Sequence, residues 1–511
     1  SGYPDEPGHL ITGVLVKNYV TTFPLQSPVA FAKEFYIHRP KIAIGHWPPV
    51  LYFVEAIWFI LFHVSRSSAL ALMAFICASL AASICHVVRR RHGTAAGIAA
   101  GLLFVGLSFV QTQTSRIMAD MLVAFFGFWA VLAFAAFLET RRAWDILCFA
   151  AFSLLAIFTK NNGLYLVFTP LLSMAMAKKL GMLRDIRLWL GAAIVGIPSV
   201  AWVLWSRSLV ENTWASKPGL NFFLRASGKD LVFIYTILGP CLLLFAAAGV
   251  VRDLINSRAT GDLVPLTLIA AALSVLVFQS LAPAGIEPRF LAPAIAALIP
   301  VAFSGILWLG ERLRTRAISA KAWAVVLLAL GLAISPSRTF AIPHKPYRGF
   351  SELADFITSQ PRLRQGVTIV SSGSDGEGLL ISEIVMRYPI SEGYVLRASK
   401  VLAQMDWLGR FYKPRFESAD EVFKYLTGVG VDLVVIEDQP NVPVPQHQRL
   451  LLEMCQEHAD VWQRVGVFPA RVPPVLQGSS ILVYRRIGNV PPRIDALHRD
   501  MERILDRKLG D

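Results

Sequence analysis

The chain has 511 residues, of which 55% are apolar and 16% are charged, whereas soluble domains carry about 25% charged residues. This composition excludes a wholly soluble protein. A net charge of +14 does not indicate a nucleic-acid-binding protein, because the excess Lys and Arg residues lie in short loops beside apolar runs, where they set membrane orientation. The five cysteines follow neither a disulfide framework nor a zinc-binding spacing.

Residues 1–66 are predicted to form an outer loop with interfacial helices. The stretch 48–64 is apolar, yet it contains Glu55, His63 and five aromatic residues, which is typical of a helix that lies along a membrane surface. The alternative is a full crossing, which would place residues 1–47 on the opposite face. We use the interfacial interpretation, because it keeps the acidic and basic candidate residues on one face of the membrane.

Residues 67–335 are predicted to form a transmembrane helical bundle, since apolar runs near 20 residues match the length of a helix that crosses the hydrocarbon. We place about ten spans, at 67–88, 94–111, 117–138, 145–159, 163–177, 186–206, 231–251, 263–281, 290–309 and 321–335. Alternate loops differ in charge, and the set rich in Lys and Arg, including residues 89–91 and 312–316, is predicted to be cytoplasmic. The other loops, and the C-terminal region with them, then face outward.

Residues 345–511 are predicted to form a soluble α/β domain on the outward side. Strand-like runs at 366–370, 431–436 and 480–484 alternate with helix-like stretches, which is typical of such a domain. The glycine-rich run 371–378 fits neither of the common nucleotide-binding patterns. The fold class is therefore a polytopic α-helical membrane bundle with a C-terminal soluble α/β domain.

Acidic residues on the outward face are the candidate catalytic groups. Asp5 and Glu6 form a carboxylate pair beside the membrane, which could act as a general base or hold a divalent cation. The alternative is a solvated turn. Asp120 lies at the end of a span, where an acid is a functional candidate by default. Because Arg116 is four residues away, a structural ion pair on one helix face is the alternative for Asp120.

Basic residues on the same face are candidates for binding a phosphate group. They are Lys41 and His46 in the sequences RPK and GHWPP, Lys160 in a turn at 159–163, and Arg289 at the start of a span. Their cationic groups suit phosphate recognition, and anchoring at the membrane interface is the alternative. The Asn-Asn-Gly run of the turn predicts positive backbone dihedrals and a sharp reversal.

Taken in order, these motifs resemble those of a known group of enzymes. The matching residues are Tyr3-Pro4-Asp5-Glu6, Gly45-His46-Trp47-Pro48-Pro49, Arg116 with Asp120, Thr159-Lys160, and Arg289-Phe290-Leu291-Ala292-Pro293. The sequence resembles the bacterial members of the protein O-mannosyltransferase and lipid A aminoarabinose-transferase families, within the GT-C membrane glycosyltransferases. The likeness covers about residues 1–335.

The resemblance implies roles for these residues. Asp5 would be the catalytic base or would orient the acceptor, with support from Glu6, and Asp120 would shape the cavity. The carrier phosphate would be bound by Lys160 and Arg289, with Lys41, His46 and Arg116 as further candidates. In two respects the sequence departs from the family: relatives have a transmembrane helix before the Asp-Glu pair, which we expect to precede Ser1, and they usually have Gly directly after the Thr-Lys pair.

The predicted function is an inverting glycosyltransferase that moves a monosaccharide from a polyprenyl-phosphate donor at the outer face of the bacterial cytoplasmic membrane. Its partners would be this donor, membrane lipid, and an acceptor that is a lipid, a glycan or a protein, with no nucleic acid. A divalent cation held by Asp5 and Glu6 is an open alternative. Other functions are a lipid-linked saccharide transporter or polysaccharide export component, for which charged sites near the bilayer midplane are expected, and a non-catalytic scaffold.

Overall fold

The structure is a computed structural model that describes residues 3–43, 45–211, 217–283, 285–316, 319–329, 348–373, 375–390, 393–405, 410–440, 442–470, 478–488 and 494–510. The helices of the first loop and the bundle are α1 Glu6–Thr22, α2 Pro28–His38, α3 Val50–Leu61, α4 Arg66–His92, α5 Thr94–Gly106, α6 Ser108–Thr114, α7 Asp120–Thr140, α8 Ala143–Ile157, α9 Thr169–Met176, α10 Ile186–Glu211, α11 Leu220–Thr260, α12 Val264–Leu281, α13 Ala292–Arg312 and α14 Ala320–Ala329. Short 3₁₀ helices cover Asn161–Val167, Leu180–Arg184 and Pro288–Leu291.

Within the described residues, six helices are long and apolar enough to cross a membrane. They are α4, α7, α10, α11, α12 and α13 with its preceding 3₁₀ turn. The pair α5 and α6 is bent by 66° and would be a seventh crossing if it forms one span. The predicted span at 163–177 is a 3₁₀ helix followed by the short α9, and residues 330–335 of the last predicted span lie outside the described residues. The number of crossings stays a prediction.

Close packing of α11 against α13 depends on small residues. A Cβ atom on Gly305 would lie 1.9 Å from the carbonyl oxygen of Phe245, and one on Gly249 would lie 1.9 Å from that of Val301. Such contact between backbones is how helices associate in a membrane, where apolar side chains gain little by leaving lipid. The two glycines therefore set the distance between α11 and α13.

We expect Gly305→Ala to lower the free energy of unfolding by about 1–3 kcal/mol, because an added methyl group has no room and forces the helices apart. Gly228→Ala is the matched control, since Gly228 lies on α11, the partner helix of α13, and a Cβ atom there meets nothing within 4 Å. Thermal unfolding of the purified protein in detergent checks this. Equal melting temperatures for the two variants would contradict the packing interpretation.

The first loop forms a layer on one side of the bundle, and α3 belongs to that layer. One face of α3 is buried through Leu51, Tyr52, Ala56 and Phe59, while Ile57 and other apolar residues on the opposite face are exposed. Twelve residues make a helix of only about 18 Å, shorter than the roughly 30 Å of hydrocarbon. The length and the one-sided burial support the interfacial interpretation of 48–64.

The C-terminal domain has an α/β fold, as predicted from the sequence. Its helices and strands are α15 Phe350–Ser359, α16 Pro361–Gln365, β1 Val367–Ser371, α17 Gly376–Arg387, β2 Tyr394–Arg397, α18 Ala398–Val401, β3 Ala403–Gln404, β4 Lys413–Pro414, α19 Ala419–Val429, β5 Leu433–Asp438, α20 Gln446–Glu457, β6 Trp462–Pro469, β7 Ser480–Arg486 and α21 Ile494–Gly510. Five strands form a sheet in the order β2-β1-β5-β7-β6. Strand β1 is parallel to β2 and β5, and β7 is antiparallel to β5 and β6.

The first loop lies between the bundle and this domain. Leu10 and Val14 of α1 share one apolar cluster with Phe59 of α3 and with Leu380 of α17. Residue Tyr36 of α2 belongs to the core on one face of the sheet. Because α1 begins directly after Asp5, the predicted catalytic carboxylates lie in this intermediate layer. We call the side of the bundle that carries the layer and the domain the domain side.

Candidate active site

Four of the predicted site residues lie at helix ends on the domain side. Asp5 precedes α1, Asp120 is the first residue of α7, Lys160 follows α8, and Arg289 lies in the 3₁₀ turn before α13. All four are buried, with Asp5 8% exposed and Asp120 1% exposed. Glu6 is 1% exposed, so the alternative of a solvated turn at Asp5 and Glu6 is wrong.

Arg289 connects the two chain segments that carry carboxylates. Both of its terminal nitrogens lie 3.3 Å from Asp5 Oδ2. The Nη2 atom also donates to Glu287 Oε1 at 3.1 Å, and Nε lies 2.9 Å from Glu287 Oε2. The hydroxyl of Tyr3 donates to the same Oε2, and burial raises the pKa of that hydroxyl above its ordinary value. Asp5, Arg289, Glu287 and Tyr3 thus form one connected network.

Asp120 forms an ion pair with Lys160, whose Nζ donates to Asp120 Oδ1 at 2.7 Å. The predicted alternative of an Arg116–Asp120 pair on one helix face is wrong, because α7 begins at Asp120 and Arg116 precedes the helix. The Arg116 guanidinium lies over the Tyr3 ring, 4.9 Å from its centroid. Arg116 therefore reaches the same network as Arg289, whose guanidinium is 4.7 Å from that centroid.

The turn that holds Lys160 differs from its prediction. Asn161–Val167 is a 3₁₀ helix, and no residue of 159–163 has a positive φ. The reason is tertiary: the backbone of Gly163 packs against that of Ala156, where a Cβ atom would lie 2.7 Å from the carbonyl carbon. This packing stacks the 3₁₀ helix on the end of α8 and keeps Lys160 inside, next to Asp120. The ammonium group lies 4.5 Å from the ring centroid of Phe290.

His9 is a buried histidine close to several of the predicted phosphate-binding residues. Its Nδ1 atom lies 3.1 Å from Tyr52 Oη, and its ring is 4.7 Å from that of Trp47. Burial, followed by the charges of Lys160 and Arg289 and then of His46 and Lys41, lowers the pKa of His9 well below its usual range. Four of the predicted phosphate-binding residues therefore act electrostatically on one imidazole and disfavour its protonated form.

Lys41 reaches the site from between α1 and the C-terminal domain. It is buried, and its side chain passes the glycines Gly8 and Gly378. A Cβ atom on Gly378, in the first turn of α17, would lie 3.1 Å from Lys41 Cε and 3.2 Å from Pro7 Cβ. The domain thus forms part of the wall beside Asp5. His46 is half-buried, with its ring 4.3 Å from that of Trp47.

Four residues of the site were not selected from the sequence: Tyr3, His9, Tyr52 and Glu287. His9 could have been found, because it lies one helical turn after Asp5, and its amide donates to the Asp5 carbonyl at 3.1 Å. Glu287 stands two residues before Arg289, a spacing that carries no signal in a loop of unknown conformation. The hydrogen bond between Tyr3 and Glu287 joins residues that are 284 apart in the chain. It depends on tertiary packing and could not be predicted from the local sequence.

The divalent-cation alternative at Asp5 and Glu6 finds little support in this geometry. Among the residues that the structure describes, no group of three or more His, Cys, Asp or Glu side chains is placed to hold a metal. Asp5 instead has the Arg289 guanidinium beside its carboxylate. No step proposed below depends on a cation.

We expect His9 to make stability depend on pH. Its pKa is lowered in the folded protein, so below the unfolded value of 6.5 the unfolded chain binds the proton more readily. Stability is therefore complete above that pH and falls as the pH decreases, by up to about 1.4 kcal/mol per pH unit. Melting temperatures between pH 7.5 and pH 5 check this. His9→Gln should show a shallower slope, and an unchanged slope would contradict the assignment.

Comparisons with known proteins place the chain among membrane proteins of related fold. Residues 46–205 match the family described as dolichyl-phosphate-mannose-protein mannosyltransferase. No curated protein is similar in sequence to the chain. ArnT from Cupriavidus metallidurans bound to undecaprenyl phosphate is similar in structure, with 14% identity and a TM-score of 0.52 over 94% of this chain and 93% of that one.

Two further structures are similar to the same extent. The apo state of the same ArnT has 15% identity and a TM-score of 0.50, over 85% of this chain and 87% of that one. AglB, the oligosaccharyltransferase of Archaeoglobus fulgidus in complex with an inhibitory peptide and a dolichol-phosphate, has 12% identity and a TM-score of 0.51, over 84% of this chain and 65% of that one.

Proposed function

We propose that this chain, a membrane protein with the GT-C fold of the ArnT and protein mannosyltransferase type, is an inverting glycosyltransferase that uses a polyprenyl-phosphate monosaccharide. The GT-C resemblance predicted from the motifs is confirmed at the level of the fold. The observation that carries the proposal is the convergence of a carboxylate, Asp5, with Arg289 and Lys160 at helix ends on the domain side.

In the proposed reaction, the acceptor hydroxyl attacks the anomeric carbon of the sugar while Asp5 removes the hydroxyl proton. The bond between that carbon and the phosphate oxygen breaks on the opposite side, so the configuration inverts. The donor phosphodiester carries one negative charge, whereas the released polyprenyl phosphate carries two. Arg289 and Lys160 stabilise this developing charge in a buried site, where such interactions are strong. A phosphate leaving group needs little help from an acid.

The similar structures support the identity of the carrier. ArnT was captured with undecaprenyl phosphate and AglB with a dolichol-phosphate, and both ligands are polyprenyl phosphates. The family that matches residues 46–205 is named for a dolichyl-phosphate-mannose donor. A lipid carrier also suits a site at helix ends, because its phosphate would lie at the membrane surface while its chain stays in the bilayer.

We further propose that the site faces outward from the cytoplasmic membrane. The ends of the bundle opposite the domain side are rich in Lys and Arg, as at Arg89–Arg91 and Arg312–Arg316. They contact one another: Arg91 Nε lies 2.7 Å from Asp262 Oδ2, and Arg258 donates to the Met176 carbonyl at 2.8 Å. By the positive-inside rule this face is cytoplasmic. The acceptor would be a lipid, a glycan or a protein that reaches this face.

The test is transfer from labelled polyprenyl-phosphate hexoses and aminosugars to membrane extracts, with the full chain in proteoliposomes. The expected result is transfer of the labelled sugar to an acceptor with inversion at the anomeric carbon of the sugar. Activity that persists with a chelator would argue against a divalent cation. Movement of an intact lipid-linked saccharide across the bilayer, without transfer from any donor, would overturn the proposal in favour of a transporter.

A further inference from the structure

The N–H groups on the two terminal nitrogens of Arg289 all have partners within the described residues. Its two terminal nitrogens carry four N–H groups, and within the described residues these face Asp5 Oδ2 twice, Glu287 Oε1 and Met118 Sδ. The remaining Nε lies 2.9 Å from Glu287 Oε2 without forming a hydrogen bond. A phosphate group that binds the terminal nitrogens of Arg289 must therefore replace one of their acceptors.

The two carboxylates beside Arg289 are not equivalent. Glu287 approaches with both oxygens, at 3.1 Å and 2.9 Å, and stands only two residues away in the chain. Asp5 approaches with a single oxygen that both terminal nitrogens share at 3.3 Å. The ion pair with Glu287 is the stronger one, because it brings both carboxylate oxygens to the guanidinium at shorter distances. An incoming phosphate would therefore displace Asp5 and leave Glu287 in place.

Tyr3 holds Glu287 in this arrangement. Its hydroxyl donates to Glu287 Oε2, and its ring lies under the guanidinium of Arg289, 4.7 Å away, and under that of Arg116, 4.9 Å away. The aromatic ring attracts both guanidinium groups and so helps to hold them in position. Tyr3 and Glu287 together act on the phosphate site without touching the reacting atoms.

We propose that Glu287 and Tyr3 are positioning residues which keep Arg289 at the phosphate site while the donor phosphate takes the place of Asp5. Donor binding then frees the Asp5 carboxylate to accept the proton of the acceptor hydroxyl. When no donor is bound, the Asp5 carboxylate remains in its ion pair with Arg289. This inference rests on the proposed function, because it takes the carrier phosphate as the ligand of Arg289.

The test compares Glu287→Gln, Tyr3→Phe and the double variant. Glu287→Gln should raise the KM for the donor about tenfold, the effect of weakening one charge-assisted contact, and should change kcat by less than about threefold. Tyr3→Phe keeps the ring and loses the hydroxyl, and should raise the KM about threefold. The double variant should be no worse than Glu287→Gln, because Tyr3 acts through Glu287. Glu311→Gln, at the exposed opposite end of α13, is the charge-matched control.

A second measurement separates this inference from the function on which it rests. Binding of a short-chain polyprenyl phosphate is followed by thermal stabilisation of each variant, without any turnover. Weaker binding in Glu287→Gln than in Glu311→Gln supports the inference. Equal binding by these two variants, or losses that multiply in the double variant, would overturn it. If the wild-type chain binds no polyprenyl phosphate and transfers no sugar, the proposed function itself fails.

Discussion

Asp5→Asn is expected to lower kcat for sugar transfer by at least about 100-fold, since a positioned general base contributes about 10²–10⁴-fold. Asparagine keeps the shape of the side chain but cannot accept the proton. Binding of the carrier phosphate should be retained or strengthened, because Asp5 no longer competes for Arg289. The measurement is initial-rate transfer at saturating donor, together with polyprenyl-phosphate binding by the same preparation.

Asp460→Asn is the control for this substitution. Asp460 is exposed in a turn of the C-terminal domain, so its replacement changes the net charge by the same amount without touching the site. Its transfer rate should equal that of the wild type. Undiminished transfer by a folded Asp5→Asn would exclude Asp5 as the base and would turn attention to Glu6 or Asp120.

The second large effect concerns the buried ion pair of Asp120 and Lys160. Asp120→Asn leaves a buried ammonium group without its partner, so we expect a loss of about 3–5 kcal/mol in the free energy of unfolding. Lys160→Met should destabilise the protein in the same way, through the unpaired Asp120. Both single variants should transfer sugar poorly. Thermal unfolding and initial rates measure the two effects on the same samples.

The double variant Asp120→Asn with Lys160→Met distinguishes a structural pair from a catalytic one. It contains no unpaired buried charge, so much of the lost stability should return. Transfer should not return, because the phosphate has lost one of its cations. Recovery of both stability and transfer would show that the pair only supports the fold.

The sequence allowed the location of the charged residues to be predicted, but not which of them form ion pairs with one another. Asp120, Lys160 and Arg289 could be placed together because each lies at the end of an apolar run on the same side of the membrane. Asp5 was placed with them through the interfacial interpretation of 48–64. Lys160 and Asp120 are 40 residues apart, so their pairing depends on how α7 packs on α8. The local spacing favoured Arg116, but α7 does not include it.

The particular contacts that the C-terminal domain makes beside the site could not be predicted from the sequence. Nothing in the composition around Gly378 indicates that α17 begins against Lys41 and Pro7. Its position follows from the sheet, since the neighbouring Glu377 accepts from Arg397 Nε at 2.9 Å and from the Ser399 amide at 2.8 Å. Likewise, the 3₁₀ helix after Lys160 replaced the predicted reversal because of a backbone contact that only the folded chain contains.

The intermediate position of α1 also has a consequence for the order in which the molecule is made. Asp5 is translated 284 residues before its partner Arg289. Asn18 of α1 donates to the carbonyl of Pro389, which is 371 residues away. At cellular rates of synthesis this separation corresponds to roughly 20–70 s. During that time α1 has an apolar face without its final neighbours, so the layer that carries Asp5 reaches its final packing only after the C-terminal domain has folded.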